Sequence, residues 1–254
     1  VMGKNLQKYP FGKFPLPSEA PWHEPLSLLT MIASNTSKIK LATAILIAPL
    51  RNPALLAKTV ATLDTISKGR LELGVGLGWQ KEEFDAAGVS FEDRTEIFWE
   101  TLDICKLLWH DSPISFHGKH FNFDDIWCHP QPIQGQDLPL LFGLKMTHEN
   151  AQRIAKVGHG WIPIKTSRDF ISAGREILSE AFMKEDRQDQ PRIRGQLPTC
   201  VDENGVPNID LTLKELEKSM AAGLDEIEVF PINFVQAPDD IYKVLQLISE
   251  VKKS

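Results

Sequence analysis

Two segments of the 254-residue chain combine residue types and spacing that could hold a ligand. The first is Gly69-Arg70-Leu71-Glu72-Leu73-Gly74-Val75-Gly76-Leu77-Gly78-Trp79, a β-type run entering alternating glycines. Glycine lets a backbone come close to a flat or phosphorylated ligand, and it equally suits a crowded interior. A dinucleotide fingerprint is disfavoured. Counted from Gly74, the third glycine of G-x-G-x-x-G falls on Trp79, and Lys81-Glu82-Glu83 follows where small residues would pack a helix against its strand. The second segment, Leu140-Leu141-Phe142-Gly143-Leu144-Lys145-Met146-Thr147, reads as a strand, a short loop and an N-cap. Free N–H groups, a hydroxyl and Lys145 at the positive end of a helix dipole would suit a phosphate. A routine cap beside a solvated lysine explains the same residues, and Glu149 in the first turn would repel an anion.

Other constellations point to less. His117, His120, Cys128 and His129 invite a metal reading, but a spacing of three in a strand puts the first two on opposite faces, and the last two are adjacent. No metal site is expected. G-x-S-x-G, H-E-x-x-H and Walker patterns are absent, so hydrolase and nucleotide-phosphatase readings have no support. Trp22, Trp79 and Trp161 suit either a flat aromatic wall of a pocket or ordinary core. With 34 acidic and 28 basic residues there is no basic stripe, which argues against nucleic acid or an anionic membrane as partner. Three distant cysteines suit reduced thiols rather than a disulfide framework. No apolar run nears the roughly 20 residues that cross a bilayer, and Val1-Met2-Gly3-Lys4 lacks a signal peptide's apolar core, so a cytoplasmic protein is expected.

The elements that must position these residues alternate in type. The first 25 residues, rich in proline and aromatics, read as a long loop. Strands are expected near 39–48, 71–76, 138–143, 159–163, 193–201 and 226–230. Helices are expected near 25–36, 53–67, 80–87, 91–109, 148–157, 167–184, 211–222 and 238–251. Nearly continuous apolar strands alternating with helices mean a parallel sheet covered by helices. Alternation around Gly118, near 114–124, adds a small inserted hairpin. Nothing in the composition marks a boundary within 1–254, so a single domain is expected.

Leu50-Arg51-Asn52-Pro53-Ala54-Leu55-Leu56-Ala57-Lys58, followed by Thr62 to Trp79, resembles the luciferase-like monooxygenase superfamily, in its probable coenzyme F420-dependent oxidoreductase branch. Glu82-Glu83-Phe84, Phe116-His117-Gly118 to Pro130-Gln131-Pro132, and Gly158-His159-Gly160-Trp161-Ile162-Pro163 extend the resemblance over about 9–165. It implies a TIM (β/α)8-type barrel and an oxidoreductase that uses coenzyme F420 or FMN, by hydride transfer or oxygen insertion on a small organic substrate. Its cofactor ring would lie near Thr43, Ala44, Gly76, Gly78 and Trp79, its phosphate end along Gly143, Leu144, Lys145, Met146 and Thr147, and Trp161 would also belong to the cofactor site. Trp22, His23 and Arg51 lie on loops that should open on the active face, where Arg51 would orient a polar substrate group or serve only a structural salt bridge. A homodimer and a flavin reductase as partner are implied in the same way.

This chain departs from the pattern in places. Leu144 and Met146 stand where many members have Gly and Ser or Thr, and His159 stands where Asp is usual. No catalytic triad is expected, because such cofactors carry the difficult chemistry themselves. Members act on aldehydes, sugar phosphates, alkanesulfonates and pterin-linked carbon units, and pocket loops choose among these. The length matches a whole barrel of about 250 residues, yet only six strand–helix units are counted and Val1-Met2-Gly3 looks like the exit of a second strand. The expectation is therefore a barrel lacking its first two strands. An incomplete, non-catalytic relative acting as a ligand-binding or structural subunit is the competing reading.

Overall fold

In the computed structural model the described residues are 2–3, 9, 19, 21–235, 237 and 240–251. They fall into two compact units, Val1–Gly143 and Leu144–Ser254. Most of the expected N-terminal loop lies outside the described residues.

In the first unit, helix α1 (Pro25–Asn35) begins where Glu24 caps it: the carboxylate accepts from the Leu26 and Ser27 N–H groups at 3.2 and 2.6 Å, and Pro25 has no N–H to satisfy. Its last turn carries no basic residue. The Arg70 guanidinium takes that part instead, donating to the Ala33 and Thr36 carbonyls at 2.9 Å each and to the Ile39 carbonyl at 2.7 Å. The chain then forms one strand in two pieces, β1 (Leu41–Ala42) and β2 (Leu46–Ile47), both parallel to β3 (Leu71–Gly76). Helix α2 (Pro53–Ser67) starts at the Asn52 cap and stops where Lys68 and Gly69 take positive φ.

All six residues of β3 are buried, as a strand covered on both faces requires. Strand β6 (Leu140–Gly143) pairs with it in parallel, with Gly76 opposite Gly143. Between them run α3 (Lys81–Ala87) and α4 (Arg94–His110). The Trp109 indole N–H donates to the Ala57 carbonyl at 3.0 Å and so ties α4 to α2, and the Trp99 ring stacks on Phe142 of β6.

The inserted hairpin is present as antiparallel β4 (Ile114–His117) and β5 (Asn122–Ile126). Its turn is held by Glu100 of α4, whose carboxylate accepts from the N–H groups of Lys119, His120 and Phe121. A Cβ on Gly118 would stand 2.6 Å from that carboxylate, which explains the glycine.

In the second unit, β7 (Gly160–Trp161), β8 (Arg192–Gln196) and β9 (Glu226–Glu228) run parallel in that order. Helix α5 (His148–Val157) precedes β7, α6 (Arg168–Lys184) follows it, α7 (Ile209–Lys214) and α8 (Leu216–Ala221) follow β8, and α9 (Ile241–Val251) follows β9. Glu226 sits between Arg192 and Arg194, which reach its two oxygens at 2.6 Å each.

Two expectations are corrected here. The strand expected over 193–201 stops at Gln196: Pro198 has no N–H for a ladder, and Val201 instead bridges Pro207. The helix expected over 211–222 is two short ones, broken where the Glu215 N–H bonds back three residues to Thr212 at 3.1 Å. With β1 and β2 counted as one, the six expected strand–helix units are present. Among the described residues no helix is long and apolar enough to cross a membrane.

Candidate functional site

The loop entering α5 belongs to the second unit and is built from three anchors. Thr147 is the N-cap, its hydroxyl accepting from the Asn150 N–H at 3.1 Å. The Asn150 side-chain amide turns back to donate to the Lys145 carbonyl at 2.9 Å. The Trp161 indole N–H donates to the Leu144 carbonyl at 2.8 Å. Both peptide bonds are trans and planar, so each N–H points opposite to its anchored carbonyl. The N–H groups of Lys145 and Met146 are thereby turned away from their anchors, and among the described residues neither makes a hydrogen bond. They stand at the N-terminal end of a ten-residue helix, where the dipole favours negative charge. Leu144 is buried and pins the loop, whereas Lys145 is exposed beside it. Glu149 is 79% exposed and inclined along the helix toward Arg153, at 3.8 Å. This is a donor set that fits a phosphate.

The Trp161 side chain belongs to the core of the second unit. It is fully buried, packed beside Phe170 at 5.6 Å between ring centres. A Cβ at Gly174 of α6 would meet its ring at 2.3 Å, so the missing side chain makes the slot that receives the indole. Of the two readings open to Trp161, aromatic wall or ordinary core, its burial fits the core, and what it offers the loop is its N–H.

In the first unit the structure accounts for the glycine run. Thr43 bridges the gap between β1 and β2: its hydroxyl donates to the Gly74 carbonyl at 2.8 Å and accepts from the Gly74 N–H at 3.0 Å. That hydroxyl is buried and already engaged, while Ala44 beside it is exposed. The Ala44–Ile45 peptide is cis. The Ile45 side chain lies over both Gly76 and Gly143, 2.8 Å from where either Cβ would stand. Gly78 has φ +78° and packs on Ile47 and Phe84, and the Trp79 ring meets Tyr9 edge-on at 5.2 Å. Trp22 and His23 are exposed just before α1, and Arg51 is ion-paired with Glu24 at 2.7 Å. Burial pulls the Glu24 carboxyl upward, but the Ser27 and Leu26 N–H groups together with Arg51 outweigh it and hold the group below the usual carboxylate range.

The histidines pair separately, though not by strand alternation: His117 ends β4 and meets Asp124 at 3.0 Å, while His120 lies in the turn and meets Glu96 at 3.1 Å. Asp93, Glu96 and His120 could approach one ion, but the Lys119 ammonium sits 2.5 Å from the same Glu96 oxygen and lowers that carboxyl's pKa. That is the pattern of a surface ion-pair cluster. The three cysteines are free, and burial pushes the thiols of Cys105 and Cys128 up, away from the reactive thiolate.

Residue reasoning missed Asn150, Gly174 and Ile45. Asn150 is not the Glu or Gln of a capping box and its amide donates to a carbonyl instead; Gly174 and Ile45 take their meaning from tertiary neighbours and leave no local mark.

The model of the family described as luciferase-like monooxygenase matches residues 9–205. An F420-dependent glucose-6-phosphate dehydrogenase of Kineococcus radiotolerans is 29% identical over 196 residues, 72% of this chain and 55% of that protein. An FMNH(2)-dependent dimethylsulfone monooxygenase of Pseudomonas putida is 35% identical over 115 residues, 44% of this chain and 31% of that one. The chain also spans 59% of an uncharacterized protein of Mycobacterium tuberculosis, at 33% identity over 62% of its own length; it thus covers less than two thirds of these curated relatives. Among solved structures, an F420-dependent secondary alcohol dehydrogenase superposes with a TM-score of 0.72 at 18% identity, over 83% of this chain and 79% of the other. That likeness gives the six strand–helix units their place in a TIM-barrel-type fold. With the family model covering most of its length, the chain belongs to the luciferase-like monooxygenase family.

Proposed function

We propose that this chain binds coenzyme F420 or FMN and serves as an oxidoreductase acting on a small organic substrate. The observation that carries the reading is the pair of outward N–H groups of Lys145 and Met146 at the start of α5, a cradle for the phosphate both cofactors carry. Relatives that depend on F420 and on FMN support it. When bound, such a cofactor supplies hydride transfer or, as reduced flavin, oxygen chemistry. The chain's own residues then have the tasks of holding the phosphate, through the 143–147 loop with the exposed Lys145 ammonium beside it, and of keeping that loop rigid. Thr43, Ala44, Gly76, Gly78 and Trp79 toward the ring, and Trp22, His23 and Arg51 toward the substrate, belong to the same proposal by family resemblance, as do a homodimer and a flavin reductase as partner.

Titration of the purified protein with each cofactor, followed by fluorescence quenching, tests the reading. Saturable binding of one of them is the expected result. If neither binds at metabolite concentrations, the proposal fails. Oxygen uptake during turnover then separates oxygen insertion from hydride transfer, because a deazaflavin transfers hydride without activating O₂.

A further inference from the structure

The structure assigns to two side chains, Trp161 and Asn150, a positioning role: by holding the carbonyls of Leu144 and Lys145, they fix the direction in which the next two N–H groups face a phosphate. The inference rests on the cofactor reading above and deepens it. A peptide group between two flexible residues can rotate as a unit, and a half-turn would point its N–H inward and its carbonyl, an anion-repelling group, outward. At 144–145 that rotation is blocked. The Trp161 indole is completely buried, so its N–H must find an acceptor inside the protein, and the Leu144 carbonyl at 2.8 Å is that acceptor. Turning the peptide would leave the buried indole N–H without an acceptor and set a second donor, the Lys145 N–H, against it. The ring cannot follow the loop, because α6 closes on it and only the missing Cβ of Gly174 leaves it room.

At 145–146 the constraint is lighter but of the same kind. Asn150 is fixed by the first turn of α5, its N–H bonded to the Thr147 hydroxyl, and its side-chain amide reaches the Lys145 carbonyl at 2.9 Å. The two anchors come from different elements, β7 and α5, and grip adjacent peptides. Orientation is thus imposed by side chains of α5 and β7 rather than by a special residue among 144–146. The consequence is preorganisation, with donors aimed before the ligand arrives, so that binding does not have to order them.

The test compares ligands that differ only in the phosphate-bearing end: FMN against riboflavin, and F420 against its precursor lacking the phosphate and its tail. Affinities are measured by fluorescence for the wild-type protein, Trp161→Phe and Asn150→Ala, with circular dichroism melts to confirm folding. Trp161→Phe keeps most of the apolar volume and removes the donor. Asn150→Ala changes a partly exposed side chain and leaves the backbone bond to Thr147 in place. The expected result is that each variant loses about five- to tenfold of its preference for the phosphorylated ligand, the scale of one hydrogen bond, while affinity for the unphosphorylated one stays near wild type. A merely structural role would lower both affinities together. An unchanged preference in both folded variants overturns the inference, and so does a wild-type protein that binds FMN and riboflavin equally. Failure of the wild-type protein to bind any of the four ligands instead overturns the cofactor reading itself.

Discussion

A single ion pair constrains the Arg51 side chain. Its guanidinium is engaged by the carboxylate that also caps α1, so a substrate group would have to share it with Glu24. Replacing Arg51 by alanine should cost no more than about 1 kcal/mol, the usual worth of a partly exposed ion pair, read by urea denaturation. A changed KM in the same variant would support the role toward substrate, and an unchanged KM and kcat would leave the ion pair as its whole contribution. Glu24 adds a pH dependence. Its folded pKa is depressed, so its stabilisation is fully present above the ordinary glutamate range and is lost as pH falls through the lower folded value. The difference in stability between wild type and Glu24→Gln should therefore shrink in acid and vanish below that value. At this scale the sequence was informative where chemistry is local, as with the Thr147 cap and the glycine stop of α2. It was silent on the direction of Trp161, because β7 is two residues long and shows no alternation to separate an inward from an outward face.

Elements were more legible than their ends. Strands β3 and β6 and helix α5 lie where periodicity put them, since each is long enough, or punctuated clearly enough, to show its pattern. The segment after β8 was misread because apolar residues continue past Pro198 without a ladder to join. The hairpin illustrates the remaining difficulty: alternation around Gly118 announced it, but what holds its turn is a carboxylate on α4 that no local pattern links to it. Glu100→Ala should leave three N–H groups without their acceptor and cost roughly 1–3 kcal/mol. Hydrogen exchange should show faster amide exchange at Lys119, His120 and Phe121 while the amides of β3 keep their protection. Equal acceleration in both places would mean that Glu100 supports the unit at large rather than the turn.

For the whole molecule, the length that matched a complete barrel is accounted for by six strand–helix units, the inserted hairpin and the N-terminal stretch. Family membership was legible through the resemblance carried by the stretch from Leu50 to Trp79, whereas the choice between F420 and FMN was not, since both carry a phosphate and the proposed cradle would serve either. Connections across long sequence distances decide stability at this scale, and Arg70 is the clearest of them. Arg70→Ala would remove the donors that satisfy the end of α1 and should cost roughly 2–3 kcal/mol, with exchange at α1 rising in parallel in a hydrogen-exchange measurement. Unaltered protection of α1 would contradict that assignment.

The same arginine sets a timetable. Helix α1 has its start signal in Glu24 and its own first residue, Pro25, but the side chain that closes it lies 34 to 37 positions beyond the carbonyls it satisfies. During synthesis from the N-terminus, the whole helix is made well before the residue that closes it, and an eleven-residue helix is marginal on its own. α1 should therefore remain frayed until β3 emerges and brings Arg70 to it, so that an early-made helix is completed late.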